Sequence, residues 1–278
     1  MPQMPAPWPT RIRALAAGRV QPPAPRPSAT VVLLRDGATG PEAYLLRRRT
    51  SMAFAGGLYA YPGGGVDPRD GDAPWAGPSA AAWAERLGVD EDTARAVVCA
   101  ALRETFEEAG VLLAGPDAHS LVEPRDWSAE RAALEAHELS FGDFLAQRQL
   151  VLRTDLLAAW ARWVTPEFEE RRFDTWFFVA ALPAGQHAAD TVGEADRVAW
   201  LRPADAVAGF EQGRFGMMPP TITVLRELLP ADSVAAALTA AAGRDVAPVL
   251  GHAEVAGERI TIRWPGYDEL TIDGEFPA

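Results

Sequence analysis

The sequence predicts an α/β protein with a mixed sheet, and three observations carry that prediction. Strand-like runs are interspersed with helical periodicities, without the regular strand–helix–strand order of an all-parallel sheet. The clearest helix signal, near residues 90–110, sets apolar side chains against a face with three glutamates. Hydrophobic content of 48% and 9 Trp suit a packed interior, and 278 residues suffice for one domain with insertions or one domain plus a small appendage.

Residues 1–27 hold many prolines and little periodicity, which reads as an extended or disordered arm. Ala29 to Leu34 and Ala43 to Arg47 are strand-like and are joined by the turn-rich Asp36-Gly37-Ala38-Thr39-Gly40-Pro41. Residues 51–66 read as a glycine-rich loop and a short strand. A helix is expected to start near Ser79, with Ala80, Trp83, Ala84 and Leu87 at helical spacing. The next starts near Asp90 to Thr93, an N-cap region, and stops at Gly110, where a C′ glycine belongs. Its buried face is expected to be Val97, Val98, Ala101, Leu102 and Thr105, with Arg103, Glu104, Glu107 and Glu108 on the other.

Residues 115–150 read as helical, with Ser128 and Ser140 as N-caps. Trp160 to Val164, Asp174 to Leu182 and Val198 to Leu201 read as strands. Helices follow from Pro203 to about Glu211 and from Pro220 to Leu229. Residues 231–278 read as an alanine-rich helix and a hairpin, with Glu258 to Arg263 the clearest strand.

The formal net charge is −12, and all 26 basic residues are arginine. An acidic balance argues against a nucleic acid polymer as partner, because phosphate polymers are bound through basic surfaces. A small phosphorylated ligand is compatible if arginines and a metal reverse the local sign. Cys99 is the only cysteine, so a disulfide framework and a thiolate zinc site are excluded, and its apolar helical setting reads as a small buried hydrophobe. The four histidines are scattered without ligand spacing. Neither an apolar run of membrane-spanning length nor a signal-peptide core is present, so a soluble, cytoplasmic protein is expected.

The sharpest motif is Arg103-Glu104-Thr105-Phe106-Glu107-Glu108-Ala109-Gly110. On a helix the three glutamates project together, and like charges about 4 Å apart repel by roughly 4 kcal/mol at a surface-like dielectric. Such a trio either splays into water, as an ordinary solvated face, or surrounds something positive. With Gly63-Gly64-Gly65 upstream, the pattern resembles the Nudix hydrolase box, G-x5-E-x7-R-E-U-x-E-E-x-G-U, where U is aliphatic. Gly64 takes its first glycine, Arg103 and Glu104 its R-E pair, Glu107 and Glu108 its E-E pair. Arg103 lies 39 residues after Gly64 instead of 14, so about 25 extra residues interrupt the box. Counting back eight from Arg103 gives Arg95, so the first glutamate reads as missing, and Thr105 replaces an aliphatic residue.

The resemblance implies an α/β/α sandwich over residues 28–230, with helical insertions at about 68–91 and 115–150 and a C-terminal extension over 231–278. It implies Glu104, Glu107 and Glu108 as ligands of Mg²⁺ or Mn²⁺, with Arg103 pairing to Glu107 and orienting it. Glu108, Glu167, Glu170 and Glu194 are candidates for the general base. Residues 45–64, LLRRRTSMAFAGGLYAYPGG, resemble the signature of the coenzyme A diphosphatase branch. Arg49, Thr50, Gly57 and Tyr61-Pro62-Gly63-Gly64 keep its order, but Phe54 stands where a second arginine is expected. Thr165-Pro166 and Arg171-Arg172-Phe173-Asp174-Thr175 extend that likeness. Candidate substrate-binding residues are Arg47, Arg49, Gly63, Gly64 and Arg172. Arg47 and Arg49 alternate with Arg48 along a strand, so they share one side, and any of these arginines could equally solvate an edge or pair with a nearby glutamate. The glycines could form a tight turn or aim the catalytic helix. The expected partner is a small-molecule nucleotide diphosphate: CoA or acyl-CoA first, ADP-ribose or NADH as alternatives, with a non-catalytic nucleotide sensor as the rival class. No membrane partner is expected, and a homodimer is left open.

Overall fold

The structure, a computed structural model, describes residues 8–49, 56–122, 126–189, 195–257, 259–267 and 269–273. Fourteen strands are assigned among them: β1 (Arg26–Gly37), β2 (Gly40–Arg48), β3 (Tyr59–Ala60), β4 (Gly63–Gly65), β5 (Trp75–Ala76), β6 (Ala114–Gly115), β7 (Val151–Arg153), β8 (Ala158–Val164), β9 (Phe173–Ala181), β10 (Ala195–Leu201), β11 (Pro248–Leu250), β12 (His252–Ala256), β13 (Arg259–Arg263) and β14 (Leu270–Asp273). The helices are α1 (Trp8–Ala16), α2 (Ala80–Leu87), α3 (Glu91–Ala109), α4 (Ser128–Glu135), α5 (Phe141–Arg148), α6 (Pro203–Glu211), α7 (Pro219–Leu228) and α8 (Val234–Ala241).

The main sheet runs β10-β2-β1-β9-β8-β11 and is mixed: β1 lies parallel to β9 and antiparallel to β2. It is buried on both faces, and its two-residue period sorts side chains between two cores. Ala29, Val31 and Leu33 of β1 join Trp176, Phe178 and Ala180 of β9 beneath α2 and α3. Val32 and Leu34 join Phe177 and Val179 on the opposite side, with residues of α1, α6, α7 and α8. This is the α/β/α sandwich expected from the resemblance. A register shift between Ala159 and Ala161 of β8 turns both Trp160 and Ala161 into the second core.

One irregularity positions the site. The β2 side of β1 is shared: Leu34 to Gly37 pair with β2, whereas Ser28 to Thr30 pair with the glycine strand β4. Gly63 needs its missing side chain there, since a Cβ would lie 2.6 Å from the Ala29 carbonyl. The two interrupting segments are tied by a small sheet in which β7 pairs with β5 and β6.

Three expectations are corrected. Residues 8–16 are helical, not part of an unstructured arm: Ile12 is buried, Trp8 packs edge-on against Phe168 at 4.8 Å, and Arg11 Nε donates to the Phe168 carbonyl at 2.6 Å. Proline content hid this helix, yet Pro9 stands in its first turn, where no amide partner is lost. The C-terminal residues form the expected helix and hairpin, α8 and the β12–β13 pair, but not as a unit separate from residues 28–230: β11 closes the edge of the main sheet on β8, and Val234, Ala237, Ile260, Ile262 and Trp264 lie in the second core. Ser128 is the first residue of α4, not its cap, whereas Ser79 and Ser140 accept the cap bonds from Ala82 and Asp143. Glu258, expected at a strand start, lies outside the described residues. No helix among the described residues is long and apolar enough to cross a membrane.

Docking of α1 predicts that Ile12→Ala lowers stability by about 2 kcal/mol or more in urea unfolding; an undocked arm would leave the midpoint unchanged.

Candidate active site

Helix α3 carries the glutamate trio and is fixed at both ends. The Asp90 carboxylate accepts from the Thr93 amide and hydroxyl, both at 2.8 Å, and Glu91 and Asp92 add negative charge to the first turn. Gly110 adopts a left-handed φ of 69° and its amide donates to the Phe106 carbonyl. The expected apolar face is buried, and Thr105 is tolerated there because its hydroxyl donates to the Ala101 carbonyl at 2.7 Å. The opposite face is buried too, contrary to a one-sided helix. Arg103, Glu104, Glu107 and Glu108 are each less than a tenth exposed.

Arg103 is the hub of this face. Its Nε donates to Asp70 Oδ1 at 2.9 Å and its Nη2 to Asp70 Oδ2 at 3.1 Å and to the Gly65 carbonyl at 2.8 Å. Its Nη1 donates to Glu104 Oε1 at 2.8 Å and to Glu107 Oε1 at 3.2 Å. All five guanidinium N–H groups are thereby used. Glu108 turns instead to β4, where its Oε2 accepts from the Gly63 amide at 2.8 Å. Gly64 leaves room for Glu104: a Cβ would stand 2.5 Å from its Oε1. Three buried carboxylates thus share a single guanidinium, with the buried Glu108 held beside them by Gly63. Burial pushes the Glu104 carboxyl up to about 7, against the pull of Arg103 and with repulsion from Glu107. Glu107 is raised as well, again chiefly by burial. Burial opposes the charge on Arg103, but Asp70 and the glutamates outweigh it and raise its pKa.

The NUDT19 Nudix domain family matches residues 84–228, just over half of the chain. The chain belongs to the Nudix family. It is similar to a NUDIX hydrolase from Alicyclobacillus acidocaldarius, with a TM-score of 0.66 at 29% identity, covering 81% of this chain and 99% of that one. It is also similar to the acyl-coenzyme A diphosphatase NUDT19 of Xenopus laevis, 25% identical over 225 residues that cover 67% of this chain and 59% of the relative. The acyl-coenzyme A diphosphatase NUDT19 of Gallus gallus is 26% identical over 249 residues, 69% of this chain and 65% of the relative. The chain therefore spans about three fifths of the length of these two relatives.

The first acidic residue of the Nudix box is not missing. Counting forward six residues from Gly64 reaches Asp70, and the structure puts Asp70 on Arg103. The interruption therefore lies after this position, which is why counting back from Arg103 reached Arg95. Arg95 instead donates to the Gly71 and Ala73 carbonyls and stacks over Trp75. Cys99 is buried, with its sulfur 3.8 Å from Asp70 Oδ1, and burial followed by the Asp70 charge pushes its thiol pKa far up, which disfavours a thiolate nucleophile.

The donor set fits the divalent cation that Nudix hydrolases generally need. Its hard carboxylate oxygens and its excess of buried negative charge both favour such an ion. Among the described residues, no three His, Cys, Asp or Glu side chains are arranged as a metal-holding cluster. The reason is visible: Arg103 stands between Glu104 and Glu107, and Glu108 is held by Gly63.

Other sequence candidates fall elsewhere. Arg47 is engaged by Asp196 across the β2–β10 pair, at 2.7 and 2.8 Å. Arg172 is buried and donates to the carbonyls of Thr165 and Pro23, which closes the β8–β9 loop on the N-terminal segment. Arg49 is exposed just beyond β2. Gly63 and Gly64 lie against β1 and Glu104, where a Cβ would collide. Tyr61 faces the second core, its hydroxyl donating to the Thr221 carbonyl at 3.2 Å. The β8–β9 loop opens at the site's end of the sheet, because Ser28 of β1 pairs with both Gly65 and Thr175. There Glu170 pairs with Arg11 while Glu167 is exposed. Thr50, Phe54 and Glu194 lie outside the described residues.

Asp70→Ala removes the bidentate partner of a buried cation and is expected to cost about 3 kcal/mol in denaturant unfolding; a loss below about 1 kcal/mol would show that Glu104 and Glu107 suffice. The raised pKa of Glu104 means the folded, metal-free protein binds its proton more tightly than the unfolded chain does. Its contribution to stability is full below the ordinary carboxylate value and is lost as pH rises through about 7. Measured without metal, Glu104→Gln should match the wild type at about pH 5 and exceed it in stability at about pH 8. Equal stability at both pH values would contradict the shift.

Proposed function

We propose that the chain is a divalent-metal-dependent pyrophosphohydrolase whose substrate is CoA or acyl-CoA. The observation that carries the chemistry is the buried Arg103 hub, which holds two glutamates of the box together under a glycine strand. A purely nucleotide-binding module has no need of four carboxylates concentrated in its interior, since each is costly to bury. The choice of substrate is supported by the names of the curated relatives, both acyl-coenzyme A diphosphatases, and by the Arg49 to Gly64 signature.

Glu104, Glu107 and Glu108 would hold Mg²⁺ or Mn²⁺. When bound, the ion offsets the charge of the diphosphate and acidifies water. The chain's own residues do the rest by placement. Asp70 fixes Arg103, Arg103 orients Glu104 and Glu107, and Gly64 admits the Glu104 carboxylate against β4. One water is consumed across the P–O–P linkage of CoA. Its oxygen ends on phosphorus, and the leaving phosphate oxygen departs with the second product, giving 3′,5′-ADP and 4′-phosphopantetheine. The candidates for the proton acceptor are Glu108, Glu167, Glu170 and Glu194, of which Glu170 is engaged by Arg11.

Product-resolved assays with CoA and acyl-CoA in Mg²⁺ or Mn²⁺ should release 3′,5′-ADP, and faster than ADP-ribose or NADH is cleaved. Glu104→Gln and Glu107→Gln should each lower kcat about a hundredfold or more without unfolding the protein. Near-normal rates in both variants would remove these residues from the mechanism. Tight binding of a nucleotide without any turnover would favour a sensor.

A further inference from the structure

The last turn of α3 is electrostatically unfavourable as the helix alone builds it. It presents Glu107 and Glu108 where the helix dipole is already negative, and it has no basic residue of its own. Its carbonyls also lack helical partners. The structure shows what answers both problems. Arg131, on α4 in the second interrupting segment, donates from Nε at 3.1 Å and from Nη2 at 2.6 Å to the main-chain carbonyl of Glu107. The Ala189 amide takes the Ala109 carbonyl at 2.7 Å. The same segment covers Phe106, the residue between Thr105 and Glu107, which is fully buried and stacks on Phe144 of α5 at 5.2 Å. The fit at Arg131 is close, since a Cβ on Gly110 would approach its Nη1 to 3.1 Å.

We infer that Arg131 is a positioning residue for the catalytic turn. The inference rests on the proposed role of Glu107. Arg131 touches neither substrate nor metal in this account; it acts through the Glu107 backbone, supplying the cation missing from the helix end and fixing the direction in which that glutamate leaves the helix. Arg148 is the internal comparison. It belongs to the same segment, pairs with Glu130 and stacks on Trp127, and makes no contact with α3 among its described bonds.

The test compares Arg131→Ala, Arg131→Lys and Arg148→Ala by two measurements. The first is amide hydrogen exchange over residues 104–110 in the metal-free, substrate-free protein. The second is kcat and KM on CoA with Mg²⁺. Arg131→Ala should accelerate exchange in that turn and lower kcat about tenfold or more with KM within about twofold, as a misplaced catalytic group does. Arg131→Lys, which keeps the charge but loses the paired donors, should recover part of kcat, and Arg148→Ala should match the wild type in both. Unchanged exchange in Arg131→Ala overturns the inference, as does faster exchange with unchanged kcat, or an equal loss in Arg148→Ala. If Arg131→Ala does not fold, Arg131→Lys and Arg131→Gln carry the same comparison. A wild type that releases no product from CoA strikes the proposed substrate, and the exchange result alone then decides the place of Arg131.

Discussion

A single guanidinium holds this site together. Arg103 spends all five of its N–H groups on Asp70, Glu104, Glu107 and the Gly65 carbonyl, so it joins the turn at Asp70, helix α3 and the glycine strand. Arginine suits this position because its fork is planar, permanently charged and able to serve several acceptors at once; a lysine could not reproduce the geometry. The carboxylates of this face outnumber the guanidinium they share. Burial, with repulsion from Glu107, pushes the Glu104 carboxyl up to about 7 against the pull of Arg103, and the excess of carboxylates suits a divalent ion.

The surrounding fold serves that cluster. The gap between β1 and β2 is filled by a strand of glycines, which brings main-chain groups to Arg103 and Glu108 where side chains would collide with β1 or Glu104. The two interrupting segments are not ornaments hung on loops. The first starts just after Asp70, which meets Arg103 at the start of the acidic turn, the second brings Arg131 to its end, and a three-stranded sheet ties them to each other.

Much of this could be read from the residues, and the failures have physical reasons. Periodicity located α3, the caps at Asp90 and Gly110, and the pairing of Arg103 with Glu107, because these depend on neighbours along one helix. Asp70 was passed over because its partner is distant in sequence, and only a forward count from Gly64 would have exposed it. For Arg47 and Arg172 sequence left phosphate binding and local pairing open, because it shows a charge but not what faces it; Asp196 and two carbonyls face them. The helix at Trp8 was masked by a proline-rich context although Pro9 is harmless at a first turn, and β11 was not read because so short a strand has little periodicity to show.

The shortage of positive charge around Arg103 is tested most directly by counting protons as metal binds. Mn²⁺ can be titrated calorimetrically into the protein in buffers of different ionisation enthalpy, at about pH 6 and again at about pH 9. At the lower pH, binding should expel close to one proton per site, from Glu104, and at the higher pH almost none; Glu104→Gln should expel none at either. Proton release that does not change with pH, or that persists in Glu104→Gln, would contradict this account of the site.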